Sequence, residues 1–499
     1  MKKFKLFIEN FLVYGLGGII SKLIPLIMVP IVTAIMPNTS YFGISDLTDT
    51  IIAFGTALAI MGMVDAMYRM FFEKEETEYR KVVCSTTLTF TLISSVVLFL
   101  LMILFRVPIS ALFLKDEKYS YIVCLAAVTT LISSTNSVIA APTRMQNKRK
   151  VFLITNAIGP LLSYGLAIPL LLAGYYLIAL PLAGIVSAAT MEVTFYLLNR
   201  EWFRLKLFDK NMLKQLLVIA LPLLPNFLIY WVFNSCDKVM IANILDTGAT
   251  GVYAVGSKLG HASQLIYLAF AGGWQYFAFS TMKEDNQVES NSKIFEYLGV
   301  ISFAVTAFVC AGSHLIFELL FAERYLSGYI VAPYLFLAPL LQMLFQVAAN
   351  QFLVVKRTWP NLLILSAGAA LNFVINMFLI PVLGIEGAAL ATLAGYVVSD
   401  IVCVLVLIRM KLMVVSGKFV LCTLLMAAFM VAWRFVFPDR VLIGTGVALI
   451  VCVLFVVIYR EDLKAFLRMI RGRKKTAGDD ADGDPAETEE KPDEDLTEE

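Results

Sequence analysis

Lys22, Asp46, Asp49, Glu192, Lys258, Asp400 and Arg434 all stand inside long runs of otherwise apolar residues. In such surroundings an ionisable side chain costs several kcal/mol unless it meets a partner or water, so each one is a candidate for ligand binding, ion translocation or structural pairing. Lys22 comes about 18 Å along the first apolar run at 1.5 Å per residue, and Lys258 roughly 14 Å into a later one. One lies in each half of the chain. If both face a central cleft, they form a positive centre suited to an anionic ligand, because a lysine ammonium binds phosphate as a point charge. The alternative is that each pairs with a nearby carboxylate, Asp46 or Asp49 for example. Arg69 and Arg434 are the further cations such a cleft could use. Asp65 and Arg69 are four residues apart in the acid-first order that favours a helical ion pair, so a structural pair is expected there, with Asp237 and Lys238 as a similar anchor. Glu192 and Asp400, with Asp46 and Asp49, are the candidates for holding a coupling proton or cation, although a buried acid bonded to a neighbouring helix is the commoner outcome.

Other chemistries find little support. His261 and His314 are too few and too far apart for a metal site, and no GxxxxGK[ST] phosphate loop occurs, which argues against direct use of ATP. The seven cysteines lie within or beside apolar runs without a CxxC pair and read as small core residues. Pro25, Pro30, Pro160, Pro169, Pro222 and Pro225 interrupt apolar runs, which suits bent helices.

The elements that must position these residues follow from composition. The chain has 499 residues, 59% of them hydrophobic and 16% charged, with a mean hydropathy of +0.80, well outside the range of soluble globular chains. A bilayer core takes about 20 apolar residues per helix. Runs of that length recur from 10–36, 41–71 and 82–105 through 214–244 and 249–280 to 441–459, about 14 in all. The basic residues cap these runs rather than forming one patch, so nucleic-acid binding is not expected. Of the forty Lys and Arg residues, thirty fall at the termini and in one set of alternate connecting segments. That asymmetry places both termini in the cytoplasm, in agreement with an even number of spans. The run after Lys2, Lys3 and Lys5 continues to Met36 without a small-residue cleavage site, so it reads as the first span and not as a signal peptide. From Gly478 to Glu499 twelve carboxylates accompany the single Lys491, a composition expected to stay disordered.

An internal repeat emerges at an offset of about 208 positions. It aligns Gly43 with Gly251, Tyr68 with Tyr276, Ala140-Ala141 with Ala348-Ala349, Lys148-Arg149 with Lys356-Arg357, and Glu192 with Asp400. Six spans separate the copies, so both insert in the same orientation, related by an axis along the membrane normal. The expected divisions are a first lobe at 1–205 (spans 1–6), a second at 206–412 (spans 7–12), a helix pair at 413–460 (spans 13–14), and a basic segment with the acidic tail at 461–499.

Several stretches resemble a known family. Phe233-Asn234-Ser235-Cys236-Asp237-Lys238-Val239-Met240, Gly251-Val252-Tyr253-Ala254-Val255 and Gly272-Gly273-Trp274-Gln275 are similar to the seventh-to-eighth helix region of bacterial polysaccharide flippases, of the multidrug/oligosaccharidyl-lipid/polysaccharide exporter superfamily. Leu371-Asn372-Phe373-Val374-Ile375-Asn376, running into Ile380 to Ala389, resembles the family's eleventh-to-twelfth helix signature. Tyr41-Phe42-Gly43 and Asp65-Ala66-Met67-Tyr68-Arg69 match in the first repeat. The resemblance implies an all-α polytopic membrane protein with a MATE-like fold, two lobes around a V-shaped cavity, in the bacterial cytoplasmic membrane. It implies movement of a polyprenyl-diphosphate-linked oligosaccharide to the outer leaflet for cell-surface polysaccharide biosynthesis, with Lys22 and Lys258 supplying the cavity's positive charge. Expected partners are the lipid-linked substrate, membrane lipids and glycan polymerases or glycosyltransferases. No cofactor is expected beyond H+ or Na+ as a coupling ion. A cation-coupled multidrug exporter of the same fold is the alternative, but Lys22 stands where an acid would be expected. A glycan-assembly enzyme is disfavoured, since the longest outer segment, 106–118, is only a connector.

The topology is directly testable. Reporter fusions after Tyr459 and between Lys283 and Lys293 should both report the cytoplasm, and an external signal from either would overturn the assignment.

Overall fold

The computed structural model describes residues 2–268, 270, 274, 278, 286–357 and 359–464, with no side-chain description for residues 2–18 and 149. The acidic tail, Lys283, Tyr276, most of the Gly272 to Gln275 motif and much of the second half of the eighth expected span lie outside the described residues. Among the described residues every regular element is helical. The first half of the chain forms α1 (Lys2–Ile35), α2 (Thr39–Ile60), α3 (Met63–Phe71), α4 (Thr77–Leu104), α5 (Arg106–Phe113), α6 (Ser120–Met145), α7 (Arg149–Leu172) and α8 (Ala179–Asn199). The second half follows with α9 (Lys210–Ala220), α10 (Leu224–Trp231), α11 (Asp237–Ile244), α12 (Thr247–Gly260), α13 (Gln287–Leu320), α14 (Val331–Val354), α15 (Trp359–Leu383) and α16 (Ile385–Arg409). The terminal pair is α17 (Gly417–Val436) and α18 (Val441–Ile458).

Twelve helical segments of the described residues are long and apolar enough to cross a bilayer. Of the two other expected spans, the first contributes the apolar stretch Ile19–Ile35, and the eighth begins as α12. Large apolar side chains such as Val382, Phe435 and Leu442 are exposed, as they must be where lipid is the solvent. The helices pack into two groups. In the first, α2, α4, α6, α7 and α8 pack together and α1 lies along α7; in the second, α14 is the centre, touching α12, α13 and α16, with α15 on α16 and both terminal helices on α13. Burial follows this order, for the span that includes α14 is the most enclosed of the twelve.

Local chemistry sets where the helices begin and break. The Asn38 side chain caps α2 by accepting from the Ser40 amide at 2.9 Å, and the Asp246 side chain caps α12 by accepting from Ala249 at 2.7 Å. These two caps are repeat-related, as are Thr39 with Thr247 and Gly43 with Gly251. The second expected span is interrupted: Met61 and Gly62 take positive φ values of 48° and 76°, ending α2 and starting α3. The seventh is more broken, because Pro222 and Pro225 lack an amide donor. It divides into α9, a 3-10 turn at Leu221–Leu223, α10, a π-helical bulge at Val232–Cys236, and α11. Of this span, α9 packs on α3 and α4 of the first group.

The repeat axis runs through the seam between α2 and α12. A Cβ on Gly43 would lie 2.0 Å from the Thr247 carbonyl oxygen, and one on Gly251 would lie 2.0 Å from that of Thr39. Two repeat-related residues thus meet reciprocally, as in an isologous interface. Any side chain there would force the helices apart. A Ser40→Cys/Gly248→Cys pair should therefore form a disulfide across the seam, since a Cβ at 248 would stand 3.3 Å from the Ser40 hydroxyl. Adding Gly251→Val should reduce that crosslink to background, and undiminished crosslinking would show that the helices do not depend on this approach.

Candidate functional site

The seam places charges from different helices around Asp46. Asp46 sits within the second turn of α2 and is only 2% exposed. Its Oδ2 lies 2.8 Å from the Lys238 Nζ of α11, and its Oδ1 3.1 Å from the Lys258 Nζ of α12. One carboxylate of the first group therefore holds two ammoniums of the second. Lys258 also stands over the Phe42 ring, 5.7 Å from its centre. Beside this cluster is a cavity of about 240 Å³, lined by Asp46, Asp49, Lys258, Ser163 and Tyr164 together with Pro25, Val29 and other apolar residues of α1, α2, α7 and α8. Its volume is below the roughly 300–1,000 Å³ of sites for drug-sized ligands, so in this arrangement it suits a charged headgroup more than a glycan.

The other expected residues separate into distinct environments. Asp49 is exposed on the cavity wall and makes no ion pair among the described residues. Lys22 is exposed on α1, within electrostatic range of Lys258 and likewise without an ion pair among the described residues. Glu192 accepts from the Thr135 hydroxyl at 2.5 Å. Its repeat partner Asp400 is buried, and neither carboxylate oxygen has a hydrogen-bond partner among the described residues. Identical repeat positions thus hold one satisfied acid and one unsatisfied acid.

Three sequence expectations require correction. Arg434 does not join Lys258 in the cavity. Its guanidinium grips Glu386 with Nε–Oε1 at 2.6 Å and Nη2–Oε2 at 2.9 Å, while the Tyr334 hydroxyl donates to the same carboxylate, so its charge is neutralised within the second group. Asp65 and Arg69 form no ion pair among the described residues. Both are exposed on the short α3, where water and open surface remove the incentive to pair; Arg69 instead lines a surface groove with Lys214. Asp237 and Lys238 do not form one anchor either, because adjacent residues on a helix diverge. Lys238 reaches Asp46, and Asp237 accepts a short hydrogen bond from Tyr253.

Further bonds across the seam went unpredicted. Arg324 donates to the Thr33 and Ala34 carbonyls at 2.8 and 3.1 Å, and to that of Met36. A cation from the second group thereby completes the carboxyl end of α1, where the helix dipole favours positive charge. Lys115 donates to the Asn243 carbonyl at 2.8 Å, and the Asn243 amide donates to that of Leu112 at 2.7 Å. All of these lie on the face where α2 begins, the one expected to be external. The sequence signal was available only in part: Arg324 was countable as a rare charge of the external segments, but not its acceptors.

A bundle of two helical groups with a charged cavity at their seam defines a polytopic membrane protein of MATE-like fold. The arrangement is similar to that of the inward-closed lipid II flippase MurJ, with 15% identity over 91% of this chain and 100% of that one and a TM-score of 0.65. An inward-facing multidrug resistance MATE transporter of the MOP superfamily matches at 16% identity, 80% and 94% coverage and TM-score 0.54. A Vibrio cholerae MATE transporter matches at 13% identity, 82% and 98% coverage and TM-score 0.58. At such identities the likeness is one of fold. No curated protein matches the chain. Residues 37–329 match the model of the family described as polysaccharide biosynthesis protein, and the chain belongs to that family.

Removing one partner from a buried ion pair leaves an uncompensated charge, at a cost of about 3–5 kcal/mol. Asp46→Asn strands two lysines, but Lys258 is about one-third exposed to water, so the lower figure is expected. Thermal unfolding in detergent should show Asp46→Asn destabilised by roughly 3 kcal/mol, with part of the loss recovered in Asp46→Asn/Lys238→Met. A variant as stable as the parent would show that the cluster contributes no net cohesion.

Proposed function

We propose that the chain moves a polyprenyl-diphosphate-linked oligosaccharide from the cytoplasmic to the outer leaflet by alternating access. The observation that carries this reading is the headgroup-sized cavity among α1, α2, α7 and α8, into which Lys258 reaches from the second group, with Lys22 nearby and Asp46 and Asp49 sharing the wall. A diphosphate crossing a low-dielectric interior must be neutralised along its path. Asp46 pairs with Lys258, and an incoming diphosphate would compete for that lysine. Such competition would loosen the seam as the headgroup binds, linking substrate occupancy to opening of the external face. Family membership supports the glycan, and likeness to a lipid II flippase supports the lipid carrier.

In this reading the protein is a multi-pass protein of the bacterial cytoplasmic membrane with both termini inside, is not an enzyme, and works beside glycan polymerases or glycosyltransferases. H+ or Na+ is the proposed coupling ion, with cavity-facing Asp49, unsatisfied Asp400 and Glu192 as the acids available to hold it. The same acids favour a second reading, a cation-coupled exporter of organic cations, since Asp49 shares the cavity with apolar walls.

Charge removal distinguishes the two. Lys22→Ala should abolish glycan export at normal membrane abundance, Lys22→Arg should retain part of it, and Lys258→Ala should be intermediate. An exporter of cations would be unimpaired by these changes. Near-parental glycan export by Lys22→Ala/Lys258→Ala would overturn the proposal.

A further inference from the structure

The first turns of the seventh span carry a surface that neither the cavity nor the seam uses. Along α9 and the turn after it, Lys210, Lys214, Leu217, Val218, Leu221 and Pro222 follow one another at helical spacing and line an open groove of about 880 Å³. A second groove of about 370 Å³ shares Lys214 and Val218 with it and extends to Arg69 on α3. The two flank the same Lys214–Val218 edge of α9. Their floor is apolar and open, with Val218 70% and Leu221 49% exposed.

The opposite stripe of α9 explains why this one is free. Met212, Leu216 and Ala220 are buried against Met63, Ala66, Met67 and Met70 of α3. The approach is tight: Gly62 takes a positive φ of 76°, and a Cβ there would lie 2.7 Å from the Ala220 carbonyl oxygen. By crossing to the first group, α9 turns its remaining face outward at the junction of the two groups. Pro222, without an amide donor, then breaks the helix and ends the groove.

The charge is concentrated at one end. Arg69, Lys210 and Lys214 make no ion pair among the described residues, and Glu73 on the rim leaves the mouth net positive. From Lys214 to Pro222 the apolar strip runs about 12 Å at 1.5 Å per residue, most of the depth of one leaflet in a hydrocarbon core about 30 Å thick. A cationic mouth at headgroup depth above an apolar strip fits an anionic lipid lying along the helix. Lys214 is common to both grooves, with Lys210 lining one and Arg69 the other, and several cations along this edge favour a diphosphate over the single charge of an ordinary phosphodiester lipid.

We propose that the α9 groove is an entry site for the lipid-linked substrate, with Arg69, Lys210 and Lys214 holding its diphosphate and Leu217, Val218, Leu221 and Pro222 its polyprenyl chain. The proposal rests on the flippase reading above. It adds a station on the leaflet that faces the expected cytoplasmic side, before the headgroup reaches Lys258.

The test uses the full-length protein in phosphatidylcholine vesicles containing phosphatidylglycerol, with polyprenyl diphosphate carrying a diazirine on its chain as the probe. Photolysis should label peptides spanning 210–222. Unlabelled polyprenyl diphosphate should compete, and added phosphatidylglycerol should not. Arg69→Gln/Lys214→Gln should lower groove labelling roughly thirtyfold, at about 1 kcal/mol for each cation near the surface. Val218→Trp, which fills the groove without altering charge, should lower it as well. Unchanged labelling in both variants, or equal competition by phosphatidylglycerol, would reduce the groove to ordinary lipid contact. Label near Lys258 but absent from 210–222 would overturn the groove and leave the flippase reading standing. No specific label anywhere would remove both.

Discussion

A carboxylate taken out of water must be neutralised where it stands, and Asp46 meets this requirement with cations from across the seam. Its two ammonium partners belong to α11 and α12, so satisfying one buried charge brings the two helical groups together. The approach is sterically open only because Gly43 and Gly251 have no side chains at the crossing of α2 and α12. The Arg324 bonds to the end of α1 and the paired contacts of Lys115 and Asn243 then have their partners within reach. The Asp46 pairs, on a carboxylate shielded from water, are strong enough to hold the helices together, yet each can be exchanged for another charged partner. That combination suits an interface that must open.

The two copies of the repeat share helices but not duties. Their reciprocal contact keeps the symmetry at Thr39, Gly43, Thr247 and Gly251, where any deviation would separate the backbones. Away from the axis the copies have diverged. The helix that opens the first copy, α1, runs unbroken through Pro25 and Pro30 and lies along α7, whereas its counterpart in the second copy is divided by a 3-10 turn and a π-helical bulge, and its first piece packs on the other group. Glu192 keeps a hydroxyl partner while Asp400 keeps none among the described residues. Symmetry therefore builds the seam, and asymmetry supplies the differing environments on either side of it.

Six cations around the cavity, the second group and the α9 groove have three fates, set by what lies within reach of each. Arg434 is consumed by Glu386 and stiffens the second group. Lys238 and Lys258 share Asp46, with Lys258 also open to the cavity. Lys22, Arg69 and Lys214 are exposed without an ion pair among the described residues. Only the last two sets have charge to offer a phosphate.

Much of this was legible in the chain itself. Apolar runs of spanning length dictate helices, because a backbone in lipid must satisfy its own hydrogen bonds. The distribution of Lys and Arg carries the expected orientation, and the repeat offset pairs Gly43 with Gly251, the two glycines at the crossing of α2 and α12. Lys258 was a legible candidate because charge in an apolar run is rare. Asp46 stood among its possible partners, but the choice between Asp46 and Asp49 was not legible, since both are more than two hundred residues away and helical periodicity reports which residues share a face, not which faces meet. The same limit misplaced Arg434 and Arg69: each looked available for the cavity, and one is bound by Glu386 while the other lines the α9 groove. Sequence by itself determined the elements, because lipid imposes a rule that each segment obeys alone. Only the tertiary structure decided the pairings, because a buried charge takes whichever opposite charge the packing of distant helices brings within about 3 Å.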